Sequence, residues 1–316
     1  MLIKDIYYFV KPFIPRRLQL FLRSRIALRK RQLSTNIWPT DERTGKLPDG
    51  WLGWPEKKQF ALVLTHDVET QKGQEKCHQL MKLEKDLGFR SSFNFVAEEY
   101  NVPSELRRCL VENGFEVGLH GLSHDAKLFS SKKIFQRQAA QINYYLNTWG
   151  SLGFRSPSMY HNLDWIHELK IKYDSSTFDT DPFEPQPEGV GTIFPFWVPG
   201  DPNQNGYVEL PYTLPQDFTL FVLFKERNVA IWKKKLNWIA EHGGMALLIT
   251  HPDYMNFEGI TVCHEGFPWR YYEEFLEYIK SKYEDRYWHV LPKDMAQFWK
   301  ENYMNVTSKT ISSKTS

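Results

Sequence analysis

From Phe60 onward the sequence repeats one pattern: a short apolar run, a longer amphipathic stretch, then another apolar run. Two of the runs, Phe60-Ala61-Leu62-Val63-Leu64 and Met245-Ala246-Leu247-Leu248-Ile249, contain no polar residue. A strand tolerates that only where both of its faces are buried. The pattern predicts strands near Phe60–Thr65, Ser92–Val96, Glu116–Leu119, Ser151–Phe154, Tyr173–Ser175, Tyr207–Leu210, Met245–Ile249 and His289–Leu291. Helical segments fill most of the spaces between them, among them Ser104–Glu112, Ser131–Thr148 and Asn162–Ile171. Strands and helices in alternation make βα units and a mainly parallel sheet. A chain of 316 residues holds one large α/β domain or two ordinary ones.

The rhythm is interrupted at three places. Residues 1–40 mix Lys11, Arg16, Arg17, Arg23, Arg25, Arg29, Lys30 and Arg31 with Leu18, Leu20, Phe21, Leu22, Ile26 and Leu28, and read as a basic amphipathic segment with a helix from about Pro15 to Gln32. Such a helix either contacts an anionic inner-membrane surface through residues 1–35 or packs its apolar stripe on the body. Asp181 to Gly206 is Pro-rich, and its Phe194, Phe196 and Trp197 favour an ordered loop. Residues 304–316 form a Ser/Thr/Lys-rich tail expected to be disordered, which leaves 41–303 as a single catalytic domain.

Composition excludes some classes of function. A net charge of +2 does not fit a nucleic-acid binder. No stretch reaches the ~18 apolar residues that span a bilayer, and no leader is recognisable, so a cytoplasmic protein peripheral to the inner membrane is expected. Cys77, Cys109 and Cys263 are odd in number and widely spaced, which suits buried thiols or a reducing compartment better than a disulfide framework.

The chemistry-bearing residues gather where strands end. Thr65-His66-Asp67-Val68-Glu69 follows the first apolar run, and strand alternation points Asp67 and Glu69 to the same side. Two carboxylates there can divide the tasks of holding a cation and taking a proton from water. His120-Gly121-Leu122-Ser123-His124 offers two imidazoles that meet on one ion if the segment between them turns helically. Arg155-Ser156-Pro157 places a guanidinium where it can hold a carboxylate. Thr250-His251-Pro252-Asp253 offers an imidazolium as general acid, which Asp174, Asp179 or Asp181 could orient.

In this order the clusters resemble the polysaccharide deacetylase family, the chitooligosaccharide-deacetylase-like homology domain. Its motifs run Thr-Phe-Asp-Asp, His-x-x-x-His, Arg-x-Pro, an Asp-bearing fourth motif and Leu-x-His. Thr65 to Val68, His120 to His124, Arg155 to Pro157, Asp174 to Ser176 and Ile249 to His251 match them, over roughly residues 58–295. The resemblance implies a distorted (β/α) barrel of about seven mainly parallel strands. It implies a metal held by one Asp and two His, a separate Asp as base on metal-bound water, and the late His as acid. This sequence departs from the family where Val68 stands in place of the metal-binding Asp. Asp67 as base with Glu69 as the metal carboxylate is the favoured repair; the reverse assignment, and a site without a base, remain alternatives.

The function so implied is metal-dependent removal of an N- or O-linked acetyl group from a polysaccharide or glycan precursor. The ion would be divalent, zinc first, with Co, Ni or Mn also compatible. The site would comprise Asp67, His251, Arg155 and Asp174 for catalysis, His120, His124 and Glu69 for metal, and Phe194, Trp197 and Tyr212 for sugar stacking. Two other readings compete: C–N hydrolysis of a small amide or cyclic imide, and a glycan-binding pseudoenzyme.

Overall fold

The computed structural model describes residues 15–200, 206–257 and 265–312. In chain order the elements are α1 (Arg16–Leu33), β1 (Phe60–Val68), α2 (Gln71–Gln74), α3 (Cys77–Leu87), β2 (Ser92–Phe95), α4 (Ser104–Glu112), β3 (Glu116–Leu119), α5 (Lys132–Trp149), β4 (Gly153–Phe154), α6 (Leu163–Ile166), β5 (Tyr173–Asp174), β6 (Phe196–Val198), β7 (Tyr207–Glu209), α7 (Ala230–His242), β8 (Met245–Thr250), β9 (Met255–Asn256), β10 (Phe267–Pro268), α8 (Arg270–Tyr283), β11 (Tyr287–His289) and α9 (Pro292–Ser312). A π-helical segment, Phe218–Leu223, precedes α7.

β1 is the centre of the sheet because every one of its residues is buried. β8 runs beside it from Ala61 to His66. Its other side takes β11 over Phe60–Leu62 and β2 over Thr65–Val68. From β2 the sheet continues through β3, β4, β5 and β7 to β6. All of these pairings are parallel except that of β6 with β7. Beyond β7 the chain crosses back: Tyr212 bridges Phe178, and Leu214 bridges Leu248 of β8. These bridges draw the two ends of the sheet together, giving the distorted (β/α) barrel that the resemblance implies. Parallel strands share one polarity, so β1, β3, β4 and β8 all deliver their C-terminal residues to the same end.

Helices cover the outside through their apolar stripes. α5 buries Phe135, Ala139, Ile142 and Leu146 against Leu119 and Phe154 of β3 and β4. α8 buries Tyr272, Phe275, Leu276 and Ile279. α1 also packs on the body: Leu20 and Ala27 are buried, the Ser24 hydroxyl donates to the Leu223 carbonyl at 2.5 Å, and Arg31 pairs with Glu226 at 2.6 Å.

The structure departs from the predicted spans where local sequence is weakest. β1 runs through Val68, so Asp67 lies inside the strand rather than beyond it. Of the predicted helix Asn162–Ile171 only Leu163–Ile166 forms, capped by the Asn162 side chain. Phe196–Val198 turns part of the Pro-rich loop into an antiparallel edge strand. Helical backbone continues to Ser312, across most of the span assigned to the tail. Cys77 is buried and Cys109 half-buried, both unpaired; Cys263 lies outside the described residues. No helix among the described residues is long and apolar enough to cross a membrane.

Candidate metal and catalytic site

Asp67 and Glu69 leave β1 on the barrel-interior side, and His66, just before Asp67, faces the other way. His66 is fully buried, with Thr250 Oγ1 at 2.7 Å from Nδ1 and Glu84 Oε1 at 2.9 Å from Nε2. It ties α3 to the sheet and takes no part in the site. Val68 is likewise buried in the core.

Asp67 is held from one side only. Its Oδ1 accepts from Asn94 Nδ2 at 2.9 Å and from Arg155 Nη1 at 3.0 Å. Its Oδ2 is left facing His120 Nε2 at 3.9 Å. The Asn94 carboxamide reaches Asp67 over Gly118, where a Cβ would sit 2.0 Å from Asn94 Oδ1. Arg155 is itself fixed on four bonds, to Asp67, to Thr65 Oγ1 at 2.8 Å, and to Ser175 O and Oγ at 2.8 and 2.6 Å. Burial works against charge on Asp67, but Arg155 and the imidazoles of His120 and His251 outweigh it and hold the carboxyl at about 2.

The two histidines meet, but not through a helical turn. Residues 120–124 form a loop that bends at Gly121, φ +73°, where a Cβ would press on Pro157 at 2.7 Å. The His120 Nδ1–H donates to the Arg155 carbonyl at 3.1 Å, since a carbonyl can only accept. That fixes the tautomer and leaves the Nε2 lone pair aimed into the site. Burial pushes His120 down to about 4, so the ring is neutral at pH 7. His124 Nε2 lies 3.1 Å from Glu69 Oε1. Burial opposes charge on both members of this pair; each nevertheless favours the other's ionised form, raising His124 and lowering Glu69.

Glu69, His120 and His124 therefore converge, with one ligand atom from each within 4.8 Å of the others. Two neutral-capable imidazoles and one carboxylate suit a divalent cation of the Zn, Co, Ni or Mn type. Such a cation would replace the proton shared between His124 and Glu69. Glu69 is also positioned from outside: Tyr254 donates to its Oε2 at 2.9 Å, and its N–H donates to Asp253 Oδ2 at 3.0 Å.

His251 completes the cluster, with Nε2 3.8 Å from Glu69 Oε1. Its Nδ1 lies 2.6 Å from Asp217 Oδ1. Burial would lower its pKa, yet Asp217, with smaller help from Glu69 and Asp67, raises it to about 10. The ring is an imidazolium at neutral pH and can donate a proton.

Asp217, like Asn94, is a site residue that the sequence reading misses, and it corrects the choice of Asp174, Asp179 or Asp181. Asp174 is engaged by other groups. Ser176 donates to both of its oxygens, and it faces Glu209 as a buried carboxyl pair. Asp179 is paired with Lys235, and Asp181 with Tyr212. Asp217 stands immediately before the apolar Phe218–Leu223 segment and accepts from the Phe218 N–H, so in sequence it reads only as a helix cap.

The three aromatic candidates are also corrected. Phe194 is fully buried between Trp51 and Trp54, beside Ile193, whose carbonyl receives the Met245 N–H where β8 begins. That is the opposite end of the barrel. Trp197 is half-buried under the Lys300 ammonium of α9, the helix whose start caps Glu116 at the entry of β3. Tyr212 is buried, its hydroxyl between Asp181 Oδ2 at 2.9 Å and Glu184 Oε1 at 2.7 Å. None presents an open ring face to the metal cluster.

Several solved structures share this fold. A protein from Mycobacterium smegmatis described as a polysaccharide deacetylase aligns with TM-score 0.61 and 16% identity, over 80% of this chain and 94% of its own. PuuE allantoinase aligns with TM-score 0.60 and 17% identity, over 84% and 98%. A protein from Pseudomonas aeruginosa PAO1, also described as a polysaccharide deacetylase, aligns with TM-score 0.58 and 18% identity, over 79% and 94%. At such identities the likeness is one of fold. No protein-family model matches the chain, and no curated protein matches its sequence.

Proposed function

We propose that the protein is a metal-dependent deacetylase of the polysaccharide deacetylase type, removing an N- or O-linked acetyl group from a glycan or glycan precursor. One observation carries this reading: Asp67 presents a single free oxygen to the place where Glu69, His120 and His124 converge, while the charged His251 faces that place from across Glu69.

A divalent cation bound there would acidify a water and polarise the acetyl carbonyl. His120 and His124 would hold it through Nε2, and Glu69 through Oε1. Asp67 Oδ2 takes the proton of the attacking water, and Arg155 and Asn94 keep that carboxylate in place. A positioned base of this kind contributes roughly 10²–10⁴-fold. His251 gives a proton to the departing amine or alkoxide from Nε2. Asp217 keeps the ring charged until then and stabilises it in the orientation required.

The fold shared with PuuE allantoinase makes a cyclic amide the natural comparison substrate. The test is acetate release from N-acetylated amino-sugar oligomers and from O-acetylated glycan, with allantoin hydrolysis measured in parallel, on protein stripped by chelation and then reloaded with Zn²⁺, Co²⁺, Ni²⁺ or Mn²⁺. Metal-dependent acetate release that Asp67→Asn abolishes supports the proposal. Turnover of the cyclic amide alone moves the reading to C–N hydrolysis. Glycan affinity with no turnover under any metal makes the protein a pseudoenzyme.

A further inference from the structure

α1 carries more apolar surface than the body covers. Its inner side meets the Phe218–Leu223 segment through Leu20, Ser24 and Ala27. Its outer side leaves Leu18, Phe21, Leu22, Ile26 and Leu33 in solvent, with Ile26 68% and Leu33 76% exposed. Single exposed apolar residues are ordinary on a protein surface, but five on one helix face form a patch of the kind that marks an interaction site.

The charge on this face has one sign. The helix contains no Asp or Glu. Arg25 and Arg29 are exposed among the apolar residues, on the same arc. The acids that α1 does meet sit on other parts of the body: Glu226 on Arg31 at 2.6 Å and Glu265 on Arg16 at 3.7 Å. A second copy of the helix laid on this face would set arginine against arginine. An arginine beside a leucine on one arc suits a surface whose polar layer is anionic and whose interior is apolar, because the long side chain extends to the polar layer while its stem stays with its neighbours.

The packed side of the helix adjoins the candidate site. The Arg23 guanidinium lies 4.8 Å over the Phe218 ring. Phe218 packs on Tyr254 with centroids 5.1 Å apart, and the Tyr254 hydroxyl holds Glu69. Phe218 also follows Asp217, which holds His251.

We infer that the outer face of α1 docks on an anionic lipid surface, with Leu18, Leu22 and Ile26 entering the acyl boundary and Arg25 and Arg29 among acidic headgroups. Docked in this way, the helix sets the rim of the catalytic site beside the bilayer, where a lipid-linked or membrane-apposed glycan would be within reach. The inference does not depend on which reaction the site performs.

Co-sedimentation of the full chain with vesicles tests it, using phosphatidylglycerol mixed with phosphatidylcholine against phosphatidylcholine alone. The protein should pellet with the mixed vesicles, much less with the neutral ones, and less as salt rises. Arg25→Glu with Arg29→Glu, and separately Leu22→Asp with Ile26→Asp, should each weaken partitioning roughly tenfold or more. All four side chains are exposed, so thermal midpoints should stay at the wild-type value and separate lost docking from lost folding. Equal pelleting with both vesicle types, or variants that bind as the wild type does, would overturn the inference. So would a concentration-dependent dimer in light scattering that the Leu22→Asp/Ile26→Asp pair dissolves, because the face would then be covered by a second copy.

Discussion

Asp217 grips His251 twice: its Oδ2 accepts the His251 backbone N–H at 2.7 Å, and its Oδ1 lies 2.6 Å from the ring Nδ1. The first bond fixes where the ring starts and the second fixes its tautomer and charge. A general acid works only while protonated, so activity falls as pH rises through its pKa. Burial alone would lower that pKa; Asp217 is what raises it to about 10. Asp217→Asn keeps the shape and removes the charge. The alkaline limb of the pH–rate profile should therefore move to lower pH, and the maximal rate should fall by roughly 10²-fold or more. An unmoved alkaline limb would remove His251 from the role of acid.

The division of labour between Asp67 and Glu69 is open to a direct measurement. Glu69→Ala, His120→Ala and His124→Ala should each lower metal content after equilibrium dialysis against Zn²⁺. Asp67→Asn should retain metal while losing roughly 10²–10⁴-fold in rate. Loss of metal in Asp67→Asn together with retention in Glu69→Ala would reverse the two roles.

The strand-end clusters were legible because parallel strands carry everything at their C-terminal ends to one face, whatever lies between them in the chain. Asp67, Glu69, His120, His124, Arg155 and His251 all owe their meeting to that geometry. The residues that escaped depend on contacts with no period in sequence. Asn94 reaches Asp67 only because Gly118 on the neighbouring strand has no Cβ. Asp217 caps a π-helical segment that no apolar periodicity announces. The aromatic candidates failed for the opposite reason. Phe194 and Trp197 lie in a Pro-rich region that looks like a binding loop, and Tyr212 lies just beyond it, but Phe194 packs with Trp51 and Trp54 at the entry end, Trp197 lies under Lys300, and the Tyr212 hydroxyl is taken up by Asp181 and Glu184. Helix α1 shows both limits at once: the basic amphipathic pattern gave its span to within about one residue, but not that its packed side would seat it on the Asp217 segment.

Glu116, at the start of β3, should make stability fall as pH rises. It is buried with Tyr173 OH 2.8 Å from Oε1 and the Lys293 N–H 3.0 Å from Oε2. Burial pushes its carboxyl from the ordinary 4.5 up to about 7, against the pull of those donors. The folded chain then holds a proton that the unfolded chain releases, so the favourable contribution is complete below 4.5 and is lost as pH climbs through about 7. The loss amounts to about 3 kcal/mol above that window. Thermal midpoints measured across it should decline in the wild type, and Glu116→Gln should flatten that part of the curve.

Lys235 and Asp179 form a buried ion pair at 2.5 Å, with side chains only 1% and 2% exposed. Burial pushes Asp179 up, and Lys235 is the main group opposing it. The Lys235 ammonium also lies 4.6 Å from the Trp238 ring of the same helix, and its bond to Asp179 joins α7 to the segment that carries Asp179. Removing one partner leaves the other charge buried and unanswered. Lys235→Met should cost roughly 3–5 kcal/mol in urea unfolding, since truncating one side of a buried pair is far more costly than replacing both. Adding Asp179→Asn to Lys235→Met removes the stranded charge and should recover most of that loss. A double variant no more stable than Lys235→Met would show that packing around the lysine stem, not the unpaired carboxylate, sets the cost.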